Sequence, residues 1–155
     1  MRGSHGNAGE IGHLPMVPGG EACPCGNIGC LERYLSCDAM ERRSQKSGID
    51  GWIKEATPLF KNAIVAIENL FDPSAIVIGG IAPAEVIDKL MAAAEPLPHS
   101  VAERRDRAVP RLIRSANGED AVLRGAAALA VSGVLSPRFG LMFADDPLME
   151  REAAA

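Results

Sequence analysis

An α/β fold is what this sequence predicts, and three observations carry the expectation. Ala75-Ile76-Val77-Ile78 is a short, wholly apolar run rich in β-branched residues, as a strand covered on both faces should be. It ends in Gly79-Gly80 and leads into a helical pattern from Pro83, the strand, glycine turn and helix succession in which an open α/β sheet places ligands outside the strand's carboxyl end. Upstream, Gly9 to Glu32 reads GEIGHLPMVPGGEACPCGNIGCLE, too rich in glycine and proline for one helix or strand and dense in metal-ligating residues. The predicted architecture is therefore helices flanking a sheet, with a ligand-bearing loop at the sheet's edge.

The 155 residues, 47% hydrophobic with a formal net charge of -4, have the composition of about one globular domain that can bury a core. Mild acidity without a clustered basic face argues against a nucleic-acid surface on this segment. No apolar run approaches the roughly 18 residues of a membrane span, and no signal peptide opens the chain. The expected compartment is the cytoplasm, with no membrane partner.

Taken in order, Met1-Arg2-Gly3-Ser4-His5 reads either as an engineered leader or as native glycine-rich sequence, with His5 a terminal residue. Leu31 to Ser44 sets Leu31, Tyr34, Leu35 and Met40 against Glu41, Arg42 and Arg43, an amphipathic helix starting directly from Cys30. Glu32 then falls in a first helical turn, where the dipole favours a carboxylate. Ser47-Gly48 breaks the pattern. A second helix runs from about Asp50 to Leu70 on Ile53, Ala56, Phe60, Ala63, Ile64, Ile67 and Leu70; Thr57-Pro58 is either a fresh N-cap or a kink within it. Trp52 reads as packing, with a stacking platform for a ligand ring as the alternative.

After the strand, the helix from Pro83 carries Glu85 in its first turn and Val86, Ile87, Leu90 and Met91 on one face, and Pro96 and Pro98 end it. Glu103-Arg104-Arg105-Asp106-Arg107 reads as a solvated surface, and His99 as a surface residue without a partner nearby. Val109 to Ile113 is predicted as a short edge strand, because Pro110 cannot donate to a central ladder. Ser115-Ala116-Asn117-Gly118 is a turn or cap, and the last helix covers about Asp120 to Ser132, its Gly125-Ala126-Ala127-Ala128 face small enough for close approach to a neighbour. The tail from Asp145 to Ala155 is expected to fray. The expected domain division is thus a leader over residues 1–8, one unit over 9–144 and a tail over 145–155.

The chemistry concentrates in the loop. His13, Cys23, Cys25 and Cys30 offer one imidazole and three thiolates, the donor set of a closed tetrahedral zinc site, and their softness disfavours calcium or magnesium. Gly26 and Gly29 let the backbone turn back so that Cys30 meets the same ion. A disulfide or buried free thiols are the alternative, and Cys37 reads as a small apolar helix residue.

Glu10-Ile11-Gly12-His13 followed by Cys23-Pro24-Cys25-Gly26-Asn27-Ile28-Gly29-Cys30-Leu31-Glu32 resembles the paired signature of the ROK family of repressors, open reading frames and sugar kinases. The resemblance implies that His13, Cys23, Cys25 and Cys30 hold a structural zinc and that Glu10, His13 and Glu32 face a bound monosaccharide, a hexose or N-acetylhexosamine. It also implies the second half of an actin-like, ribonuclease-H-like ATPase domain, with homodimers or tetramers common. Such carboxylates suit a sugar, because each accepts hydrogen bonds from neighbouring hydroxyls, and a metal-bound histidine keeps its second nitrogen for the ligand. Gly79 and Gly80 match the glycine pair bordering the nucleotide site of the family's kinases, so ATP and Mg enter only if the protein is a kinase; a tight turn is their other reading.

Neither the phosphate motif and catalytic aspartate of ROK kinases nor the helix-turn-helix of ROK repressors precedes Glu10. The chain therefore resembles the C-terminal portion of a longer protein, expected to bind sugar rather than catalyse, with any DNA contact made by an N-terminal domain outside it. A sugar-responsive transcriptional regulator is the preferred parent, on the resemblance of Leu135-Ser136-Pro137 to the regulators. An ATP-dependent sugar kinase is the alternative, and a zinc-stabilised interaction module without a sugar pocket is the third reading.

Overall fold

The structure, a computed structural model, describes residues 3–103, 106–116, 118 and 120–135, and it divides into two compact units, Met1–Ala116 and Asn117–Ala155. In the first, a 3-10 turn Ile11–His13 precedes helices α1 (Glu32–Leu35) and α2 (Cys37–Phe71), strand β1 (Ile76–Ile78), helix α3 (Ala84–Ala93) and strand β2 (Leu112–Arg114). β1 and β2 pair in parallel, Ile76 with Leu112, Val77 with Ile113 and Ile78 with Arg114, with α3 in the connection between them. In the second unit α4 (Ala121–Leu135) forms where the alanine-rich sequence predicts a helix.

The core is built on α2. Trp52, Ile53, Ala56, Phe60 and Ile64 recur on one face and pack with Leu90, Ala94 and Leu112. Burying side chains of this size contributes about 1.5–3 kcal/mol each for the larger ones. Trp52 is packing, as expected, and its Nε1 donates to the Tyr34 carbonyl at 2.9 Å. Pro58 lies inside α2 without ending it, so Thr57-Pro58 is no fresh start; the Thr57 hydroxyl donates to the Ile53 carbonyl at 2.7 Å. Gly48 does break the helix internally, at φ 71°, ψ 169°.

Several local expectations are corrected. The helix predicted from Leu31 to Ser44 is cut at Ser36, which turns extended and whose hydroxyl accepts from the Ala39 N–H at 3.1 Å, capping α2. β1 is not covered on both faces, since Val77 is 62% exposed. The second strand starts at Leu112 rather than Val109, leaving Pro110 outside the ladder, as its missing N–H requires. Arg107 is not a solvated charge: its guanidinium turns inward and donates to the carbonyls of Ser74 and Ala102. His99 has a partner after all, the Glu103 carboxylate. Among the described residues no helix is long and apolar enough to cross a membrane. Met1-Arg2, Arg104-Arg105, Ser136-Pro137 and the 145–155 tail lie outside the described residues.

Candidate metal centre and flanking carboxylates

The loop from Gly9 to Glu32 folds back on itself by backbone pairing. Met16 and Val17 donate to the Gly29 carbonyl at 2.8 and 3.0 Å, Leu31 donates to Leu14 at 2.9 Å, and Gly29 donates to Glu21 at 2.7 Å. At the tip, Cys23 N–H bonds the Asn27 carbonyl and Gly26 N–H bonds the Cys23 carbonyl, a tight turn that sets Cys23 and Cys25 side by side. Gly29, at φ +74°, sits where a Cβ would lie 1.8 Å from the Val17 carbonyl oxygen. Gly29→Ala is therefore expected to push the two strands of the loop apart. Backbone strain of order 1–3 kcal/mol corresponds to a roughly fivefold to hundredfold loss of zinc affinity, read by competition with a chromophoric chelator; affinity equal to that of the parent would contradict this reading of the turn.

This pairing brings His13, Cys23, Cys25 and Cys30 together, their ligand atoms all within 4.8 Å of one another. Cys23 Sγ stands 3.6 Å from His13 Nδ1, and Cys25 Sγ 3.6 Å from Cys30 Sγ. Donors at ordinary zinc bond lengths in a tetrahedron are about 3.6–3.8 Å apart, so both the residue types and the spacing fit zinc. The Cys25 thiol is held down at about 7, chiefly by the Asn27 backbone hydrogen bond, whereas burial pushes Cys30 up to about 12. A bound cation overrides such differences by deprotonating coordinating thiols outright.

The other side of the imidazole faces the carboxylates. His13 Nε2 is 3.9 Å from Glu10 Oε2 and 3.8 Å from Glu32 Oε2. The 3-10 turn sets Glu10 and His13 three residues apart on one side, and α1, starting at Glu32 just after the last cysteine, supplies the second carboxylate. Gly12 permits that approach, since a Cβ there would sit 3.3 Å from the Cβ of Glu32. The three residues singled out for a sugar thus converge, and so do the four singled out for a metal, with His13 shared through different nitrogens.

Gly79 and Gly80 follow β1 at its carboxyl end, beside Ser115, whose N–H donates to the Ile78 carbonyl at 2.8 Å. They border a cavity of about 330 Å³ that also touches Ile11, Leu31, Cys37 and Trp52 and that, among the described residues, has no charged one in its lining. The Glu10, His13 and Glu32 side chains are not part of that lining.

One arrangement escaped the sequence reading. Glu21, inside the loop, faces Arg33 at 3.7 Å, Arg42 at 3.3 Å and Arg43 in a close ion pair, while its N–H donates to the Tyr34 hydroxyl at 2.8 Å. The Arg43 guanidinium lies 4.4 Å from the centroid of the Tyr34 ring. These contacts fasten the loop to α1 and α2. The only hint in the sequence was the run of arginines, Arg33, Arg42 and Arg43, that follows an acidic residue in the loop.

The ROK family model matches residues 1–132. The DNA-binding transcriptional dual regulator NagC of Escherichia coli (strain K12) is 54% identical over 41 residues, 26% of this chain and 10% of NagC. A glucokinase of Streptomyces coelicolor is 29% identical over a match covering 51% of this chain and 36% of the enzyme. Among solved structures, the ROK hexokinase from Thermus thermophilus superposes with a TM-score of 0.61 at 28% identity, covering 86% of this chain and 51% of the hexokinase. A ROK-family transcriptional regulator, a homologue of the E. coli MLC protein, gives 0.50 at 26% identity, covering 77% and 36%. The chain thus spans about half or less of the length of these relatives, and its α/β fold is the one that they share. With the family's model covering most of its length and both halves of the paired motif in place, the chain belongs to the ROK family.

Proposed function

We propose that this chain is the sugar-binding, zinc-containing portion of a sugar-responsive transcriptional regulator, with residues 9–144 as that unit. The observation that carries the sugar reading is the convergence of two carboxylates on the free nitrogen of His13, at 3.9 and 3.8 Å. With Nδ1 toward the metal cluster, Nε2 carries the proton and donates, while Glu10 and Glu32 accept. One donor between two acceptors suits a run of neighbouring hydroxyls, each of which both gives and takes a hydrogen bond. A zinc held by His13, Cys23, Cys25 and Cys30 would fix the plane and tautomer of the imidazole without entering any reaction. The identity with NagC favours the regulator.

A second reading, the corresponding half of an ATP-dependent sugar kinase, draws on the Streptomyces glucokinase and on the superposition with the Thermus hexokinase. In that case Gly79 and Gly80 would border the nucleotide. Sugar-dependent release of operator DNA by the full-length protein favours the regulator; ATP-dependent phosphorylation of glucose favours the kinase.

The pocket is tested by Glu10→Gln and Glu32→Gln in the full-length protein, titrated calorimetrically with glucose and N-acetylglucosamine. Each amide replaces part of an acceptor by a donor, and a charged hydrogen bond is worth roughly 1.5–3 kcal/mol, so each should weaken binding by about tenfold to a hundredfold. Zinc content and Tm should stay near the parent's. Unchanged affinity in both variants would remove the assignment of these carboxylates to the sugar.

A further inference from the structure

The three clustered sulfurs differ in accessibility. Cys23 and Cys30 are buried, at 6% and 0% exposure, whereas Cys25 is exposed at the tip of the loop. Its Sγ already lies 3.6 Å from that of Cys30, with Gly26-Asn27-Ile28-Gly29 between them and both glycines at positive φ. A disulfide needs sulfurs about 2.05 Å apart, so closure requires a short movement within a turn whose two ends are glycine. Cys23 is a poorer partner for Cys25, because only the stiff Pro24 separates them. Cys37, at the start of α2, is outside the cluster.

We propose that Cys25 is a peroxide-reactive modification site with Cys30 as its resolving partner, so that a hydroperoxide closes a Cys25–Cys30 disulfide and expels the metal. The inference rests on the reading of this loop as a zinc site. The Cys25 thiolate attacks the O–O bond of hydrogen peroxide; an S–O bond forms, the O–O bond breaks, and the leaving hydroxide takes a proton to become water. The Cys30 sulfur then attacks the Cys25 sulfenic acid; the S–S bond forms, the S–O bond breaks, and the second hydroxide leaves as water. The two thiolates supply the two electrons that reduce the peroxide. Cys23 and His13 remain, too few for a closed tetrahedral site. His13 then loses the partner that fixes its ring, and the donor between Glu10 and Glu32 is no longer held. Oxidation would therefore switch off sugar binding, reversibly while Cys25 has not gone beyond the sulfenic stage.

The experiment titrates hydrogen peroxide into the zinc-loaded full-length protein, with a chromophoric chelator reporting free zinc and differential alkylation with peptide mapping locating the disulfide. The expected result is release of about one equivalent of zinc per disulfide, a single Cys25–Cys30 linkage, Cys37 still alkylatable, and recovery on adding dithiothreitol and zinc. A Cys37→Ser variant should behave as the parent does. Retention of zinc while other thiols oxidise, a disulfide through Cys23 or Cys37, or sulfinic acid at Cys25 without a disulfide would each overturn the proposal. Should metal analysis find no zinc beforehand, the zinc reading fails on its own, and the mapped linkage still decides whether Cys25 and Cys30 form the oxidisable pair.

Discussion

On the proposed zinc reading, stripping the metal with a strong chelator, or replacing Cys30 by alanine, is expected to unfold the loop from Gly9 to Glu32 while leaving the α2 core folded. The reason lies in what holds the loop. Apart from the Glu21 contacts that fasten it to α1 and α2, its own apolar burial is small, Cys23, Cys30 and Leu31 being its buried hydrophobic residues, and its backbone pairing rests on a few hydrogen bonds around Gly29. Structural zinc in small sites contributes an apparent 10–16 kcal/mol at neutral pH, comparable to the whole stability of an ordinary domain, roughly 5–15 kcal/mol. Hydrogen exchange should therefore show lost protection at the Cys23, Gly29 and Leu31 amides, which the loop pairs, with protection retained around Ile64 in α2. Because the coordinating thiols must be deprotonated, mild acid should release the metal in the same way. Full protection of the loop after exhaustive chelation would show that it stands without a metal.

The loop was legible in the sequence because ligand chemistry is local. His13, Cys23, Cys25 and Cys30 have few other reasons to occur together, and Gly26 and Gly29, where the chain must turn, reach positive φ. Glu10 and Glu32 were harder, since a lone glutamate is most often a solvated charge; only the motif brought them to His13, and the structure puts both within 4 Å of its Nε2. Helix periodicity located α2 and α3 well. It missed the cut at Ser36, because a hydroxyl cap competes with helix continuation through one hydrogen bond that leaves no periodic trace. It also expected cover over Val77, since an apolar strand residue carries no record of which face is buried. Least legible were the long-range charges. Glu21 reads as an ordinary acidic loop residue, and Glu68 as the polar position of a helix, yet each gathers arginines from elsewhere in the chain.

Glu68→Ala is expected to be the most damaging single change away from the metal loop. Glu68 is 1% exposed in the last turns of α2, and Arg111, just before β2, grips it with both arms of its guanidinium, Nε to Oε1 at 2.9 Å and Nη2 to Oε2 at 2.6 Å. Arg107 stands 3.6 Å from Oε1, and Arg111 Nη2 also donates to the Pro98 carbonyl at 2.8 Å. The pair thus ties the end of α2 to the segment that delivers β2 to β1. Removing the carboxylate leaves two largely buried guanidinium groups without their counter-charge, a loss of about 3–5 kcal/mol, or roughly 10 °C in Tm for a chain of this size. The Arg111 hydrogen bonds hold the Glu68 carboxyl below the usual carboxylate range, against the opposing effect of its burial. A folded-state pKa below the unfolded value means that the pair contributes fully above the ordinary glutamate pKa of about 4.3 and loses its contribution as pH falls through the lower folded value. Acid titration of Tm should therefore drop more steeply for the parent than for Glu68→Gln, which keeps the shape and has no proton to take up. A Glu68→Ala variant within about 1 kcal/mol of the parent, the range of an exposed ion pair, would show that the buried pair supplies register rather than stability.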